Sequence, residues 1–372
     1  MTATIQRAPD EKVNWRLGTV LFAGIHLLPF AAIYTGVHWS AWIIMAVLYF
    51  SRVFFLTGGY HRYFSHRTYR MGRVMQFLMA LGATTAGQKG PLWWAAHHRH
   101  HHKYSDEYED IHSPKRGFWW SHMGWIMCKK YEHTQTDLIP DFAKYPELRL
   151  LDKFDMVPPL MLGIAVWLLG YLITGTAMGA TGVLLIGFFL STIFTWHSTF
   201  TVNSLAHVFG RRRFATRDTS RNNLWIALAT GGEGWHNNHH HYPGAACQGF
   251  YWWEIDTTYY VLKLMSKVGL VSGLRRPPEH ILQKHLIKQG AADLGMFQTH
   301  WERAVKALAD AQARAGGMAA EQKQALEELL VSTRAKIEEL AKASAEKAGD
   351  IARASAEKAA SLMPQQEAEA VS

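Results

Sequence analysis

The chain has 372 residues, of which 48% are hydrophobic and 13% aromatic, so its composition excludes a disordered polypeptide and allows one large domain or two ordinary ones. The formal net charge is +9, and the basic excess lies before residue 300. Its two cysteines are far apart and form no C-x-x-C pair, which argues against a disulfide framework or a thiolate metal site. The 21 histidines are unusually many. Because imidazole is the commonest metal-binding side chain, a metal site is the first hypothesis.

Four apolar runs follow a basic N-terminal segment at 1–16, and each is long enough to cross a bilayer as a helix. They occupy about 17–37, 41–59, 157–177 and 181–201. The short connector inside each pair lacks Lys and Arg, whereas the N-terminal segment, the loop 60–156 and everything after 201 are rich in both. By the positive-inside rule, both termini and the central loop lie in the cytoplasm. Buried helices of a water-soluble protein would not explain this asymmetry.

The sequence therefore predicts an all-α integral membrane protein, with four transmembrane helices in two hairpins and a cytoplasmic helical cap, spanning residues 17–285. Residues 71–88 are apolar but too short and glycine-rich for a span, which favours a re-entrant or interfacial helix. Residues 300–372 are rich in Ala, Glu and Lys with helical spacing, and predict a solvated helical tail. We interpret this tail as an extension that can also self-associate, and a catalytic role is the alternative.

Histidines cluster next to the predicted cytoplasmic ends of the spans. HRYFSH places His61 and His66 after the second run. Five residues turn about 140° around an α-helix, so both rings reach one site only if the helix ends or is distorted there. The segment HHRHHHKYSD at 97–106 contains H-x-x-H-H in two registers, starting at His97 or at His98. GEGWHNNHHHYP repeats the triplet in one register, starting at His236. Spacings of three and four place such rings on one helix face.

These motifs, together with NSLAH at 203–207, resemble the histidine boxes of the membrane fatty acyl-CoA desaturases of the stearoyl-CoA desaturase-like, delta-9 type. The resemblance covers roughly residues 15–260. In that family a Trp precedes the second box and a Lys follows it, as Trp94 and Lys103 do when the box starts at His98. The resemblance implies these metal ligands: His61, His66, His98, His101, His102, His207, His236, His239 and His240, with Asn203 reaching metal through water. His97, His100 and His241 would be accessory residues.

Nine imidazoles exceed what one ion can hold, and neutral nitrogen ligands suit iron, so two iron ions are the expected cofactor and dioxygen the expected co-substrate. The soluble di-iron pattern E-x-x-H also occurs twice, but neither copy lies in an amphipathic four-helix pattern. We interpret Glu109/His112 as a chance match and Glu233/His236 as structural. The chain shows no HPGG-type haem motif, so we expect no fused haem domain and a separate electron donor, of ferredoxin or cytochrome type with a reductase.

The resemblance implies that the protein removes hydrogens from adjacent methylenes of a saturated acyl-CoA and leaves a cis double bond between carbons 9 and 10. Nothing chemical distinguishes that methylene pair from its neighbours, so a bent apolar tunnel must position it. Tunnel candidates are Met45, Tyr49, Thr199 and Phe200. Basic residues that could meet CoA phosphates are Arg16 and Lys89. Membrane lipid surrounds the spans, no nucleic-acid partner is expected, and the bacterial inner membrane is the expected location.

Several alternatives stay open on the sequence. Ala95 and Ala96 precede the second box where many family members have charged residues, which leaves acyl-lipid or acyl-carrier-protein substrates possible. A related membrane di-iron fatty acid or alkane hydroxylase shares the ligand pattern, because ligands alone do not fix the reaction. A membrane haem protein is disfavoured, since only His26 and His197 lie clearly within spans. A metal carrier would need more polar residues across the membrane midplane.

Overall fold

The computed structural model describes residue 6 and residues 8–287, and this part of the chain is mostly helical. Its only named strands, Arg70–Met71 and Val271–Ser272, form a short antiparallel pair in which Arg70 lies opposite Ser272. The predicted helical tail at 300–372 lies outside the described residues.

Among the described residues, three helices are long and apolar enough to cross a membrane, and two further helices that meet at a bend pass the same test together as a fourth candidate span. The second, third and fourth spans are Ser40–Ser65, Val157–Thr174 and Ala177–Val208. The first consists of Leu17–Ile25 and Leu28–Thr35, which meet at 47°. The bend falls beside Pro29, the second residue of the second piece, since proline lacks the N–H that would continue the helix. The predicted all-α membrane architecture is confirmed.

Glycines allow the fourth span to pack closely against its neighbours. A Cβ on Gly182 would come within 2.3 Å of the carbonyl oxygen of Gly36, which follows the first span. The second and fourth spans pack closely at Gly187, where a Cβ would come within 2.9 Å of Ile44. Small residues at helix interfaces allow such close approach in membranes. Arg52, which would be costly in lipid, is buried between these two spans. Its guanidinium donates to Ser191 Oγ, and to Thr192 Oγ1 at 2.7 Å.

Three histidines form a hydrogen-bonded chain that joins the first and fourth spans to the cap. His26 Nε2 lies 3.0 Å from His197 Nε2, and His197 Nδ1 lies 2.9 Å from His122 Nε2. His122 Nδ1 in turn lies 2.9 Å from Ser204 Oγ. His26 Nδ1 donates to the Phe22 carbonyl oxygen, which satisfies the last ring nitrogen within the span. The polar groups that the apolar runs carry are therefore paired with one another.

The cap is built from short helices that follow the second and fourth spans. Helices of the cap are Arg73–Thr84, Pro91–Tyr104, Pro140–Ala143, Pro146–Lys153, Leu224–Ala229, His236–His241, Thr257–Lys267 and Glu279–Gln283. Single turns lie at Pro114–Arg116, Trp120–Gly124, Trp125–Met127, Lys129–Tyr131 and Thr136–Leu138. The predicted re-entrant or interfacial segment forms Arg73–Thr84, and a Cβ on its Gly82 would reach the Phe55 ring at 2.6 Å. This helix therefore packs directly against the second span.

Candidate metal centre

The first histidine pair lies on a widened helix. Residues 55–65 form a π-helix, in which hydrogen bonds run from residue i to residue i+5. The His66 N–H accordingly donates to the His61 carbonyl oxygen at 3.3 Å, and the two imidazole centroids are 4.9 Å apart. A spacing of five thus brings both rings to one face. The local distortion that the sequence required is present.

The second box lies on Pro91–Tyr104, a helix whose start is fixed from a distance. Proline opens it, and Asp152 Oδ1 accepts hydrogen bonds from the Leu92 and Trp93 N–H groups at 3.0 and 2.8 Å. His97 Nδ1 donates to the Trp93 carbonyl oxygen at 2.8 Å, and its ring packs on the Trp93 ring. His97 therefore points away from the other boxes.

The nine histidines expected to bind metal form two groups, and within each group one ring nitrogen per residue lies within 4.8 Å of the others. The five-histidine group comprises His61, His66, His98, His102 and His239. The four-histidine group comprises His101, His207, His236 and His240. His101 and His102 are adjacent in sequence but belong to different groups, so the second box holds the two groups side by side. Whether each residue binds metal stays a prediction.

Buried carboxylates lie behind four of these rings. His101 Nδ1 lies 3.0 Å from Asp110, His207 Nδ1 3.4 Å from Asp106, and His240 Nδ1 2.9 Å from Asp218. Glu233 pairs with His61 Nδ1. A carboxylate accepts a hydrogen bond from Nδ1–H, which fixes the tautomer and leaves the Nε2 lone pair free. Sequence reasoning missed these acids as partners of the rings, although Asp106 and Asp110 follow the second box directly.

Burial also favours the neutral form of three of the rings. It lowers the pKa of His98, His102 and His239 well below the usual histidine value, and neighbouring histidines lower each pKa further. For Asp218, burial raises the pKa, but the nearby His240 outweighs it and the net pKa is lowered. The centre thus combines neutral imidazoles with ionised carboxylates behind them. This is the charge pattern that suits a bound cation.

The geometry of the ring nitrogens fits metal ions. His61 and His98 Nε2 lie 3.0 Å from the Nε2 atoms of His239 and His66, and His207 Nε2 lies 3.0 Å from that of His236. Two nitrogens about 2.1 Å from one ion and at right angles to each other would be about 3.0 Å apart. Lone pairs that face each other repel unless a cation lies between them. His240 Nε2 is buried without a hydrogen-bond partner, although Asp218 holds its other nitrogen.

His112 was not expected here. Its ring centroid is 4.2 Å from that of His101, and together with Asp110 these side chains form a third metal-type group. Glu109 is exposed, so the E-x-x-H match does not act as a unit. In the other match, Glu233 contacts His61 and Arg62, which agrees with a structural interpretation.

A cavity of about 40 Å³ reaches the five-histidine group. Its lining includes His61, His98, Asn203, Thr199 and Val53. Apolar surface dominates this lining, but the volume holds only a few water molecules, so a long acyl chain needs further space to open. Asn203, expected to reach metal through water, thus lies beside the five-histidine group.

The other tunnel candidates do not line this cavity. Phe200 is buried against Phe22, His122 and His197. Tyr49 lies one helical turn before Val53 of the cavity lining, and its hydroxyl donates to the Ala229 carbonyl oxygen at 2.7 Å.

Met45 lies one turn further along the second span and is half-buried. The tunnel roles of these three residues stay predictions, and only Thr199 of the four candidates has direct contact with the cavity.

Both expected head-group residues are held in ion pairs. Arg16 pairs with Glu132, and Lys89 Nζ lies 3.7 Å from Asp155. Hydrogen bonding to Arg16 is the main cause that lowers the pKa of Glu132, and Lys89 also contributes. Arg16 and Lys89 therefore belong to one charged region. Gln88, next to Lys89, donates to Thr199 Oγ1 at 3.1 Å and connects this region to the cavity.

Comparison with known proteins agrees with the site. Residues 37–267 match the family described as Fatty acid desaturase. The chain is 34% identical over 275 residues to an sn-1 stearoyl-lipid 9-desaturase of Anabaena variabilis, across 73% of this chain and 97% of the relative. It is 34% identical over 281 residues to an acyl-CoA 5-desaturase of Anemone leveillei, across 74% and 84%. The chain therefore belongs to the fatty acid desaturase family and is an oxidoreductase of that family.

The names of these relatives differ in substrate carrier and in double-bond position. One is an acyl-lipid desaturase and the other an acyl-CoA desaturase, at positions 9 and 5. The predicted family is confirmed in this broader form.

Proposed function

We propose that this protein introduces a cis double bond between carbons 9 and 10 of a saturated fatty acyl chain, carried as the CoA thioester. The observation that carries the proposal is the apolar cavity lined by Thr199 and by two members of the five-histidine group, His61 and His98. A methylene pair held there would lie beside the metal-binding rings. The position of the acyl chain in the cavity would then decide which carbons react, because its methylene groups do not differ chemically from one another.

Two iron ions are the proposed cofactor, one in each histidine group. Iron bound there would supply the activation of dioxygen that removal of hydrogen from an unactivated methylene requires. The protein's own part is to hold neutral rings in fixed tautomers through Asp106, Asp110, Asp218 and Glu233, and to keep the reacting carbons away from bulk water. Overall, the saturated chain, dioxygen, two electrons and two protons give the alkene and two water molecules.

The carrier is assigned from the charged region at Arg16 and Lys89, which Gln88 connects to the cavity. Phosphates of CoA would compete with Glu132 and Asp155 for these cations. An acyl-lipid substrate is the second candidate. Both cations already have acidic partners, and the relative from Anabaena variabilis is a stearoyl-lipid desaturase. We further propose that both termini are cytoplasmic, that the electrons come from a separate redox protein, and that residues 17–285 form the membrane domain.

Product analysis tests the function. The full chain, expressed in a bacterial host without its own desaturase, is supplied with saturated acids of 14 to 20 carbons, a range chosen to bracket about nine carbons on either side of the bond. Mass spectrometry of dimethyl disulfide adducts should locate the double bond at carbon 9. A hydroxylated acid, or a bond at carbon 5 or 7, would contradict the proposal.

Purified protein in lipid nanodiscs distinguishes the carriers. Stearoyl-CoA should be converted, whereas stearoyl-phosphatidylcholine in the same nanodiscs should not. Conversion of the phospholipid alone would favour the acyl-lipid alternative.

A further inference from the structure

A second recess opens beside the five-histidine group and shares no lining residue with the acyl cavity. It has a volume of about 940 Å³. Its walls come from the end of the second span, the strand Arg70–Met71, the residues around Phe142 and the segment that follows Val271–Ser272. Of the metal-type groups only His66 lines this recess, and none of the residues that line the acyl cavity does.

The recess carries positive charge. Its lining includes four exposed cationic side chains, Arg67, Arg70, Lys144 and Arg275. Asp141 is its one carboxylate. It accepts two hydrogen bonds at 2.9 Å from Arg99 and lies 3.5 Å from Arg67 Nη1, so guanidinium groups offset its charge. Aromatic side chains such as Tyr145 complete the walls, and Lys144 Nζ lies 5.2 Å above the Tyr145 ring. Arginine and tyrosine are the residues that protein interfaces favour.

His66 links this surface to the metal groups. It lines the recess, and its Nε2 lies 3.0 Å from His98 Nε2 inside the five-histidine group. The Arg275 guanidinium donates to the carbonyl oxygens of Arg67 and His66, and so holds this part of the backbone in place. One imidazole therefore separates the basic surface from the ring nitrogens. Electron transfer weakens steeply with distance, so a redox centre docked here would have a short route inward.

We propose that this basic recess is the docking surface of an acidic one-electron carrier protein, which passes electrons inward through His66. The inference rests on the proposed function, because each double bond formed consumes two electrons. Each reduced carrier is oxidised by one electron, so two dockings accompany one turnover. Complementary charge speeds such encounters and orients the partner, and salt weakens the attraction.

Binding to an acidic plant-type [2Fe–2S] ferredoxin tests the surface. The dissociation constant is measured with the solubilised full-length protein at low and high salt. The double variant Arg67→Glu/Arg70→Glu should bind at least tenfold more weakly at low salt and lose most of the salt dependence. Arg67→Lys/Arg70→Lys should stay within about threefold of the unmodified protein.

A matched control variant makes the same change of net charge at two residues outside the recess. Lys12 and Lys129 are exposed, lie on segments joined by the Val13–Cys128 bridge and do not line the recess. Lys12→Glu/Lys129→Glu should therefore keep the affinity within about twofold. Equal weakening by the control and by the Arg67/Arg70 pair would show that only overall charge matters, and would overturn the proposal.

The variant Arg67→Gly tests whether a loss of affinity comes from misfolding. Arg67 has φ +52°, a backbone conformation in which glycine is favoured at helix ends, so this variant removes the charge without straining the chain. It should fold and bind several-fold more weakly. A folded Arg67→Gly variant with unchanged affinity would contradict the docking surface.

Two further measurements separate this inference from the proposed function and from a small-anion site. Ferredoxin binding needs neither iron nor acyl substrate, so it can succeed even if the product assay finds a hydroxylase. Calorimetry with CoA and with inorganic phosphate measures whether the recess binds an anionic small molecule instead of a protein. Loss of CoA or phosphate binding in Arg67→Glu/Arg70→Glu, with ferredoxin binding unchanged, would assign the recess to an anionic head group and overturn the docking proposal.

Discussion

At the scale of single residues, the order of the site comes from acids that are not part of the histidine pattern itself. Asp218 orients His240, and Glu233 orients His61. Each acid is buried, so its negative charge acts through a poorly screened path and holds the Nδ1 proton in place. A lone pair on Nε2 is then available without any deprotonation step. The histidines give the centre its ligand atoms, and the carboxylates decide which atom of each ring is offered.

His98, rather than His97, is expected to start the second box. His98→Ala should remove bound iron from the five-histidine group and lower activity at least 100-fold. His97→Ala should keep most of both, because the His97 ring bonds the Trp93 carbonyl oxygen instead of facing the group. His97→Ala should lower the free energy of unfolding by only about 1–2 kcal/mol. Iron content by mass spectrometry of purified protein checks this. An iron-poor His97 variant beside an active His102 variant would reverse the register.

The carboxylates should tune metal affinity without binding metal. Asp110→Asn keeps the shape of the side chain but removes the charge that holds the His101 Nδ1 proton, and iron affinity should fall about 10- to 100-fold. Glu109→Gln, at the exposed neighbouring position, is the matched control and should bind iron as the unmodified protein does. Titration against a competing chelator measures the affinity. If Asp110→Asn binds iron as tightly as the unmodified protein, Asp110 does not contribute to metal affinity.

At the scale of elements, the histidine spacing and the approximate lengths of the spans can be predicted from the sequence. The continuation of the second span into the cap cannot. The apolar run that predicts the second span ends near residue 59, whereas the helix continues through polar residues to Ser65. It continues because its last part is π-helical and because Arg62 pairs there with Glu233 and Asp256. Those partners are more than 170 residues away in sequence. Local hydropathy cannot reveal such pairing.

Tyr49 on the second span is predicted to limit the length of the acyl chain. It lies one turn before Val53 of the cavity lining and donates to the Ala229 carbonyl oxygen. Tyr49→Ala should open space and raise the preference for 18- over 16-carbon substrates by about tenfold, since two further buried methylenes contribute about 1.6 kcal/mol. Tyr49→Phe removes only the hydroxyl and should keep the preference. Competition assays with mixed acyl substrates measure the ratio. An unchanged ratio in folded Tyr49→Ala would exclude Tyr49 from the tunnel.

At the scale of the whole molecule, apolar runs and histidine boxes predict a membrane domain from the sequence. The hydrogen bonds that connect its parts do not appear in any local pattern. From the sequence, His26 and His197 are recognisable only as unusual polar residues within apolar runs. The structure joins them in a chain that ends at His122 and Ser204. Such a chain needs three segments to meet, so only the folded arrangement reveals it. The paired polar groups inside the spans thus connect the membrane part to the cap that holds the histidines.

The segment from about residue 300 onward should be dispensable for chemistry. Residues 1–289 form one compact unit, and both histidine groups lie within it. A chain that ends at residue 299 should therefore bind as much iron as the full chain and form the same product, with a rate within about twofold, because it keeps both histidine groups and every lining residue of the acyl cavity found in the described part of the chain. Iron content and product analysis in nanodiscs check this, and size-exclusion chromatography with light scattering reports any change in self-association. Loss of iron in a truncated protein that still elutes as a folded species would show that the segment supports the metal centre. A smaller assembly than the full chain forms, with unchanged turnover, would instead show that the segment acts in self-association.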